Sequence, residues 1–302
     1  MKIVVFSKNI DELKDKLSNE HFYYEDSLNN LKKTIGMFDG LIAFGLPKDV
    51  DLAKLKWIHS LGAGVDWIIN NKTLNPKCKI TRIEEGFGQP MFEYSLSRIL
   101  AFYQHIEKHR LNKEKQIWSS LEPTSIVGKK VLIVGTGKIG NDLARRFSNL
   151  GMIVYGVNTT GTNYPNFINC FDYYNNKEIM KFDVIISILP STKLTDKLLN
   201  KNFFDIYICD IFINIGRGNT LDTKEIVKRV EAKEIKIVYL DVFEEEPLKQ
   251  SSNLWNNKKI IITPHIAGIT TIEYMVKSIN DNCKLIVSND RCESLLNIKK
   301  GY

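Results

Sequence analysis

The sequence has few cysteines and no long apolar run, and each shortage excludes a class of protein. Its 302 residues contain five cysteines, which stand singly and far apart: Cys78, Cys170, Cys209, Cys283 and Cys292. Their odd number and the absence of a C-x-x-C pair argue against a disulfide framework and a zinc site, so we predict no metal. No segment approaches the ~18 apolar residues of a membrane span, and the N-terminal run Ile3–Phe6 is too short for a signal-peptide core. We therefore expect a cytoplasmic protein without a membrane partner.

The sequence also lacks a concentrated patch of positive charge. Its formal net charge of +7 arises largely from scattered lysines, with only short pairs such as Lys129–Lys130 and Lys258–Lys259. Nucleic-acid binding would favour a basic stripe with interleaved aromatic residues, so we predict no nucleic-acid partner. A mild attraction for anionic substrates is the simpler interpretation. The length exceeds what one hydrophobic core usually serves, which predicts two domains.

A glycine pattern directly after an apolar strand predicts a dinucleotide-binding turn. The predicted strand Lys130–Val134 leads into Gly135, Gly137 and Gly140, and a helix is predicted from Lys138 to Leu150. The first glycine allows a tight turn, the second lets the backbone approach a pyrophosphate, and the third permits close packing of helix on strand. The helix N-terminus favours negative charge through its N–H groups and its dipole. The predicted cofactor-binding residues of this turn are Gly135, Thr136, Gly137, Lys138, Ile139 and Gly140.

The same glycine spacing also occurs in strand-to-helix turns that bind no ligand. A second predicted strand, Met152–Val157, favours the dinucleotide site, because it puts Asn158 where a ribose-binding acid normally lies. That acid is missing here. Asn158, Thr159 and Thr160 offer neutral groups that would not repel a 2′-phosphate, yet no arginine is present in the segment to bind one. The sequence therefore predicts NAD or NADP as the cofactor, with these three residues among its contacts.

Strands alternate with helices along the chain, which predicts an α/β fold with two doubly wound parallel sheets of the Rossmann or flavodoxin type. A long helix from Pro90 to about Arg110 would connect the two domains, and a last helix near Thr271–Val287 would return the chain to the first domain. The predicted strands are Ile3–Phe6, Gly40–Phe44, Trp57–Ser60, Lys79–Ile83, Lys130–Val134, Met152–Val157, Asp183–Leu189, Ile208–Ile215, Ile237–Leu240 and Ile260–Thr263.

Three segments of the second half each place a functional side chain directly after a predicted strand, at the edge where open parallel sheets bind ligands. They are Asn214–Gly218 with Arg217, Asp241–Leu248 with Glu246, and Thr263–Gly268 with His265. Together with the glycine turn and with Ser60–Asp66 upstream, they resemble the D-isomer-specific 2-hydroxyacid dehydrogenase family over nearly the whole chain and in the same order. The stretch Leu-Gly-Ala-Gly-Val-Asp is similar to the glyoxylate and hydroxypyruvate reductase branch of that family.

The family's organisation implies where the domains begin and end. A dinucleotide-binding domain of residues 98–272 would be inserted into a smaller substrate domain made of residues 1–97 and 273–302. The active site would lie in the cleft between the two domains. The family also implies a homodimer.

The residues themselves fit the reduction of a 2-oxoacid, which needs a cation for the carboxylate, a proton donor for the carbonyl oxygen and a hydride donor. Arg217 suits the carboxylate, because its planar fork binds bidentately and the flanking Gly216 and Gly218 leave room for a substrate. His265 is the candidate acid and base, since imidazole changes charge near neutral pH. The family pattern places Glu246 beside this histidine, where a carboxylate would favour imidazolium and orient the ring. Without the resemblance, Arg217 can also be interpreted as a surface arginine in a glycine turn. His265 can likewise be interpreted as a structural histidine.

The resemblance implies further contacts. Backbone N–H groups of the loop Leu61, Gly62, Ala63 and Gly64 would receive the substrate carboxylate together with Arg217, although a plain turn would use the same residues. Asp241 resembles the residue that contacts the nicotinamide carboxamide, and a cap or turn role is the alternative. The other cofactor-binding residues implied by the family are Leu189, Pro190, Thr192, Ile215, His265 and Gly268.

The remaining histidines fit structural roles better than catalytic ones. His105 and His109 stand four apart, but a zinc helix of the H-E-x-x-H type needs its glutamate directly after the first histidine, so a solvated face is the better interpretation. His59 ends a predicted strand beside the glycine loop, where packing competes with substrate contact. Glu93 matches a family position without a derivable role.

The predicted function is the NAD(P)-dependent interconversion of a small 2-oxoacid and its D-2-hydroxyacid, with glyoxylate or hydroxypyruvate favoured as substrate. Two alternatives stay open: a cofactor-sensing regulator on the same fold, like the corepressors related to this family, and a phosphoglycerate dehydrogenase-like enzyme. The set of Arg217, Glu246 and His265 favours an enzyme. We expect the extra regulatory domains of many phosphoglycerate dehydrogenases to be absent, because 302 residues leave no room for them.

Overall fold

Neighbouring strands in the described part of the chain all run parallel, and they form two separate sheets. The computed structural model of the protein describes residues 1–7, 10–17, 20–288 and 295–296. The chain divides into two compact units: unit 1 contains residues 1–87 and 270–302, and unit 2 contains residues 88–269. Parallel strands need long crossover connections, which the helices provide. The architecture confirms the predicted α/β class with two doubly wound parallel sheets.

Unit 1 is built around a five-stranded sheet. Its elements before unit 2 are β1 (Ile3–Phe6), α1 (Ile10–Lys16), β2 (Phe22–Glu25), α2 (Leu28–Thr34), β3 (Gly40–Ala43), β4 (Trp57–Ser60), α3 (Asp66–Ile69) and β5 (Lys79–Arg82). The sheet order β2-β1-β3-β4-β5 is the flavodoxin-like order. Every residue of β3 and β4 is buried, as expected for central strands that are covered on both faces.

Unit 2 is built around a seven-stranded sheet. Its helices and strands are α4 (Gly88–Tyr103), α5 (Ile106–Glu114), β6 (Lys130–Val134), α6 (Lys138–Asn149), β7 (Ile153–Asn158), β8 (Cys170–Asp172), β9 (Met180–Ser187), α7 (Lys201–Ile206), β10 (Tyr207–Asn214), α8 (Thr223–Glu231), β11 (Ile237–Leu240) and β12 (Ile260–Ile262). The sheet order is β12-β11-β10-β9-β6-β7-β8. The first strand of the unit, β6, therefore lies between β7 and β9. Strand order reverses at this point, and open α/β sheets bind their ligands at such a switch point.

The last helix, α9 (Ile272–Val287), belongs to unit 1, so this unit contains residues from both ends of the chain. Thr271 caps the helix by accepting a hydrogen bond from the N–H of Tyr274. Cys292 and the segments 289–294 and 297–302 of the predicted substrate domain lie outside the described residues. Within the described ranges, none of the helices has the length and apolar character needed to cross a bilayer.

The connection into unit 2 differs from its prediction. The single helix predicted from Pro90 to Arg110 is wrong, because α4 ends at Tyr103 and α5 begins at Ile106. His105 between them takes the left-handed conformation with a φ of 53°, which an uninterrupted helix does not allow. Two strands, β2 and β8, were not predicted. Both lie at sheet edges, where a short strand needs no continuous apolar run.

Candidate active site

The carboxyl ends of the central strands of unit 2 lie at one edge of its sheet. The register places Val134 of β6 opposite Ser187 of β9, and Ser187 opposite Asn214 of β10. Asn214 in turn lies opposite Leu240 of β11. The glycine turn and the segments that follow β10 and β11 therefore start at the same level, next to the switch point between β6 and β9.

The glycine turn between β6 and α6 has the geometry of a phosphate-binding turn. Gly135 has a φ of 105°, which glycine adopts more readily than other residues. A Cβ at Gly140 would stand 2.0 Å from the carbonyl oxygen of Gly135, so close packing requires the third glycine. A Cβ at Gly137 would meet no described atom within 4 Å, so the backbone there faces space that a pyrophosphate can enter. Since no described side chain caps α6 at Gly137, its N-terminus fits the anionic part of a dinucleotide.

Asn158 is the last residue of β7, and its side chain forms hydrogen bonds within the loop of residues 158–162 and to Thr136. Its Nδ2 donates to Thr136 Oγ1 at 3.1 Å and to the carbonyl oxygen of Thr162 at 2.9 Å. Its Oδ1 accepts from the N–H of Thr160 at 3.0 Å. Asn158 therefore shapes this loop, and contacts of Asn158, Thr159 and Thr160 with a cofactor stay predictions.

Arg217 directly follows Gly216, the second residue after β10. Its Nη1 donates to the carbonyl oxygen of Gly216 at 2.8 Å. A Cβ at Gly216 would stand 2.6 Å from the backbone of Leu189, and a Cβ at Gly218 would stand 1.9 Å from the backbone of Phe243. The prediction that these glycines leave room for a substrate is wrong, because neighbouring backbone occupies that space. The glycines instead let the connection after β10, which carries Arg217, pack closely against the connections after β9 and β11.

The side chains of His265 and Glu246 contact each other directly. The imidazole Nδ1 lies 2.8 Å from Glu246 Oε2, and Glu246 Oε1 accepts from the N–H of Phe243 at 2.9 Å. Partial burial opposes ionisation of the Glu246 carboxyl. The hydrogen bonds from His265 and Phe243 and the positive charge of Arg217 outweigh that effect, so the pKa of Glu246 lies below its usual value. The Glu246 carboxyl therefore interacts with both His265 and Arg217.

The geometry of this pair determines which nitrogen of His265 can react. An ionised carboxylate has no proton to donate, so Nδ1 carries the proton of the hydrogen bond to Glu246. Nε2 is then the nitrogen that can give a proton or take one. Both side chains stay partly accessible, with 43% of the His265 and 36% of the Glu246 side chain exposed.

Asp241 follows β11 and is 1% exposed. Its Oδ1 accepts from Thr263 Oγ1 at 2.6 Å and from the N–H of Ile266 at 3.0 Å, and its Oδ2 accepts from the N–H of Ala267 at 2.8 Å. A carboxylate has about four lone-pair sites, so these bonds leave one for a further donor. The contact of Asp241 with a cofactor carboxamide stays a prediction. Sequence reasoning missed Thr263 as its partner, and the hydroxyl directly before Pro264 is the signal that could have indicated it.

The other predicted cofactor contacts lie around the same edge of the sheet. Leu189 and Ile215 are buried, while Thr195 ties the connection after β9 together by donating to the carbonyl oxygen of Pro190 at 2.6 Å. The N–H of Thr192 donates to Thr195 Oγ1 at 2.9 Å, so this connection forms a compact turn. Gly268 is partly buried. Their contacts with a cofactor stay predictions.

The loop Leu61–Gly64 belongs to unit 1, and its carbonyl groups are fixed from within that unit. Ser60 Oγ donates to the carbonyl oxygen of Gly64 at 2.8 Å, and Arg82 Nη1 donates to that of Ala63 at 3.1 Å. The side chain of Leu61 is fully buried. Sequence reasoning missed Ser60 and Arg82 as residues that support the loop. The predicted contacts of Leu61, Gly62, Ala63 and Gly64 with a substrate stay predictions.

The histidines expected to be structural have structural surroundings. His59 is fully buried, its Nδ1 lies 2.8 Å from Thr81 Oγ1, and burial lowers its pKa to about 3. His105 forms the break between α4 and α5, and His109 is exposed on α5. Glu93 accepts a hydrogen bond from Gln89 on the surface of α4. Among the described residues, no group of three or more potential ligands could bind a metal ion.

The fold and this edge of the sheet define an enzyme of the dinucleotide-dependent dehydrogenase class. Residues 96–267 match the family model of the D-isomer specific 2-hydroxyacid dehydrogenase NAD binding domain. Since this match covers more than half of the chain, the protein belongs to the D-isomer specific 2-hydroxyacid dehydrogenase family. The predicted family is thus confirmed, together with NAD or NADP as the cofactor class.

Known relatives agree with this assignment. The chain is 27% identical to the glyoxylate/hydroxypyruvate reductase A of Yersinia enterocolitica over 261 residues, which cover 82% of each chain. It is also similar to a D-isomer specific 2-hydroxyacid dehydrogenase family protein from Aeromonas salmonicida, with a TM-score of 0.87, 25% identity and coverage of 98% and 99% of the two chains. The NADPH-dependent glyoxylate/hydroxypyruvate reductase of Sinorhizobium meliloti, solved with NADP and sulfate, shares the fold with a TM-score of 0.87 at 20% identity and full coverage of both chains.

Proposed function

We propose that the protein reduces a small 2-oxoacid, with glyoxylate or hydroxypyruvate favoured, to its D-2-hydroxyacid at the expense of NADH or NADPH. The observation that carries this proposal is the 2.8 Å contact of His265 with Glu246, whose carboxyl also feels the positive charge of Arg217. A cation, a proton donor and an orienting carboxylate are the groups that this reduction requires beside a hydride donor.

Each member of the group has one task in the proposed reaction. The Arg217 guanidinium binds the substrate carboxylate and places the carbonyl carbon. His265 gives the proton on Nε2 to the carbonyl oxygen as that oxygen gains negative charge. Glu246 orients the ring and favours the imidazolium from which that proton comes. The reduced nicotinamide, when bound, supplies the hydride, so one hydride and one proton convert the oxoacid into the hydroxyacid.

The predicted binding residues complete the proposal. The glycine turn from Gly135 to Gly140 would bind the pyrophosphate, and the loop from Asn158 to Thr160 would lie at the ribose. Leu189, Pro190, Thr192, Ile215, Asp241, His265 and Gly268 would contact the rest of the cofactor. The cofactor domain, predicted as residues 98–272, would correspond to unit 2, and the substrate domain, predicted as residues 1–97 and 273–302, would correspond to unit 1. In the latter, the loop Leu61–Gly64 would contact the substrate carboxylate through its N–H groups.

The substrate preference rests on the relatives. The curated relatives that match most of the chain are named glyoxylate/hydroxypyruvate reductase A, in Yersinia enterocolitica and in Photorhabdus laumondii among others. These names support a reductase of small 2-oxoacids over a corepressor-like regulator and over a phosphoglycerate dehydrogenase-like enzyme.

A substrate screen tests this proposal. Loss of NADH and of NADPH absorbance is followed with glyoxylate, hydroxypyruvate, pyruvate and branched 2-oxoacids, while cofactor binding is measured separately. We expect turnover with glyoxylate or hydroxypyruvate and weaker turnover with the branched acids. Cofactor binding without turnover of any 2-oxoacid would overturn the enzymatic proposal in favour of the regulator.

We also propose a cytoplasmic homodimer. The support for the dimer is a segment of unit 2 with five exposed apolar side chains: Ile106, Leu111, Ile117, Trp118 and Val127. Trp118 is fully exposed, and α5 has no buried residue, so this segment contributes nothing to the core of its own unit. Contiguous exposed apolar patches typically mark protein interfaces, and we propose that these side chains form such a surface. The four cysteines among the described residues are free thiols, which fits a reducing compartment.

Light scattering coupled to size exclusion tests the dimer. We expect Trp118→Ser to shift the protein toward the monomer mass, while Ile179→Ser, which removes an exposed apolar side chain elsewhere on unit 2, leaves the mass unchanged. A wild-type monomer, or equal behaviour of the two variants, would overturn the assignment of this surface.

A further inference from the structure

We propose that Tyr94 and Thr263 are positioning residues, which act through Asp241 to fix the backbone that carries His265. The inference rests on the proposed function for the role of His265 in proton transfer. It concerns residues of one unit only, on α4, after β11 and after β12.

The three side chains form a chain of hydrogen bonds with one direction. Thr263 Oγ1 donates to Asp241 Oδ1 at 2.6 Å, and this uses the only proton of the hydroxyl. Tyr94 Oη lies 2.6 Å from the same Thr263 oxygen and must therefore donate to it. The order of donation is thus from Tyr94 to Thr263 to the carboxylate of Asp241, which suits a charged acceptor at the end.

Asp241 fixes the connection after β12 at several points. Its carboxylate accepts from the N–H groups of Ile266 and Ala267, and its own carbonyl oxygen accepts from the N–H of His265 at 2.8 Å. His265 has a φ of 56°, a conformation that is costly for a residue with a side chain. The bonds to Asp241 on both sides of His265 keep the backbone in this conformation. The direction of the imidazole toward Glu246 follows from that backbone.

Burial makes the chain of bonds rigid. Asp241 is 1% and Tyr94 8% exposed, so water cannot easily replace a lost partner. The guanidinium of Arg98 lies over the Tyr94 ring, 4.0 Å from its centre, which fixes the ring on α4. Burial also raises the pKa of Tyr94, so its hydroxyl stays protonated and remains a donor. Loss of the Tyr94 hydroxyl would leave Thr263 with one hydrogen bond fewer and a looser orientation toward Asp241.

Removal of single hydroxyl groups tests the inference. Thr263→Val keeps the shape and removes both bonds, Thr263→Ser keeps the hydroxyl, and Tyr94→Phe removes only the first donor. The matched control is Tyr239→Phe, because the buried Tyr239 hydroxyl donates at 3.3 Å to the carbonyl oxygen of Arg98 on the same helix and does not contact Asp241. We expect kcat to fall about tenfold in Thr263→Val and about threefold in Tyr94→Phe, with KM nearly unchanged; the melting temperature should fall in both variants, because each loses a hydrogen bond in a buried environment. Thr263→Ser and Tyr239→Phe should keep wild-type kcat.

A spectroscopic measurement separates this inference from the proposed function. The proton on His265 Nδ1 is followed by NMR and assigned with His265→Gln. We expect its signal to broaden or shift in Thr263→Val and Tyr94→Phe, and to stay unchanged in Tyr239→Phe. If the wild type reduces no 2-oxoacid, the proposed function fails, while the NMR measurement still tests the positioning role. An unchanged signal in Thr263→Val and Tyr94→Phe, or an equal effect of Tyr239→Phe, would overturn the inference.

Discussion

His265 and Glu246 reach each other from two different connections of the sheet, and their side chains meet at 2.8 Å between Nδ1 and Oε2. Nineteen positions of sequence separate them, and the parallel pairing of β11 with β12 brings the two connections together. The pair leaves Nε2 of the histidine for proton transfer.

Replacement of His265 by asparagine should abolish most of the reduction. Asparagine tolerates the left-handed backbone at this position, so the fold should be retained. We expect kcat to fall about 10²- to 10⁴-fold, which is typical for the loss of a general acid, with cofactor affinity nearly unchanged. Steady-state kinetics and cofactor titration measure the two quantities. His109→Asn on the exposed face of α5 is the control, and near-normal turnover in His265→Asn would contradict the role of the imidazole.

Glu246 should make the stability of the protein depend on pH in the acid range. Its pKa is lowered in the folded state, so ionisation of this carboxyl stabilises the fold above the unfolded pKa, and this contribution is lost as the pH falls through the folded value. Glu246→Gln should therefore lose less stability than the wild type on acidification. Urea unfolding at neutral and acid pH measures the difference. Glu245→Gln, which removes a surface partner of Lys249, serves as control and should follow the wild type.

Arg217→Lys should not be a conservative change, although the charge is retained. A lysine cannot bind a carboxylate bidentately, and the hydrogen bonds of a guanidinium to a charged group are each worth about 1.5–3 kcal/mol. We expect kcat/KM for the 2-oxoacid to fall about 10- to 100-fold. Arg110→Lys, on the exposed surface of α5, is the matched control. Equal kcat/KM in Arg217→Lys and the wild type would show that Arg217 does not bind the substrate carboxylate.

Replacement by alanine should have different effects at two glycines of the cofactor turn, Gly137 and Gly140. A methyl group at Gly137 meets no described atom within 4 Å, so Gly137→Ala should fold normally and weaken cofactor binding by about tenfold or more, ~1.4 kcal/mol. A methyl group at Gly140 would stand 2.0 Å from the carbonyl oxygen of Gly135, so Gly140→Ala should lower the melting temperature. Thermal unfolding and cofactor titration of both variants measure this contrast. Unchanged affinity in Gly137→Ala would place the pyrophosphate elsewhere.

A carboxylate at position 158 should favour NADH. Asn158→Asp puts a negative charge where a 2′-phosphate would lie, so we expect the preference for NADH over NADPH to rise about tenfold. The change also removes the amide donor to Thr136 and Thr162, and Asn158→Ala controls for that loss. The ratio of kcat/KM values for the two cofactors is the measurement. An equal shift in Asn158→Asp and Asn158→Ala would show that charge is not the cause.

Much of the fold follows from local sequence signals. The bounds of β4 and β11 agree with prediction, because each is a short apolar or buried run flanked by turn residues. The edge strand β2 was missed, since only its first residue is buried and its sequence has no apolar alternation. The break at His105 was also missed, because a single left-handed residue has no signature in the apolar pattern.

In the candidate site, too, some residues could be predicted from the sequence and others could not. Arg217 and His265 could be selected because each follows a predicted strand and has a chemical function that the reaction needs, and Glu246 could be selected because the resembled family places it beside His265. The residues that support them through hydrogen bonds could not be predicted. Tyr94 and Thr263 are separated by 169 positions, and no local pattern connects a helix tyrosine with a threonine after a distant strand.

The left-handed backbone of His265 has a consequence for engineering. Glycine would occupy this conformation with less strain than histidine, so in His265→Gly the relief of strain offsets part of the stability lost with the hydrogen bond to Glu246. Selection for heat tolerance alone would therefore not protect the imidazole at residue 265. A screen that aims at a robust reductase has to select for turnover in the same round.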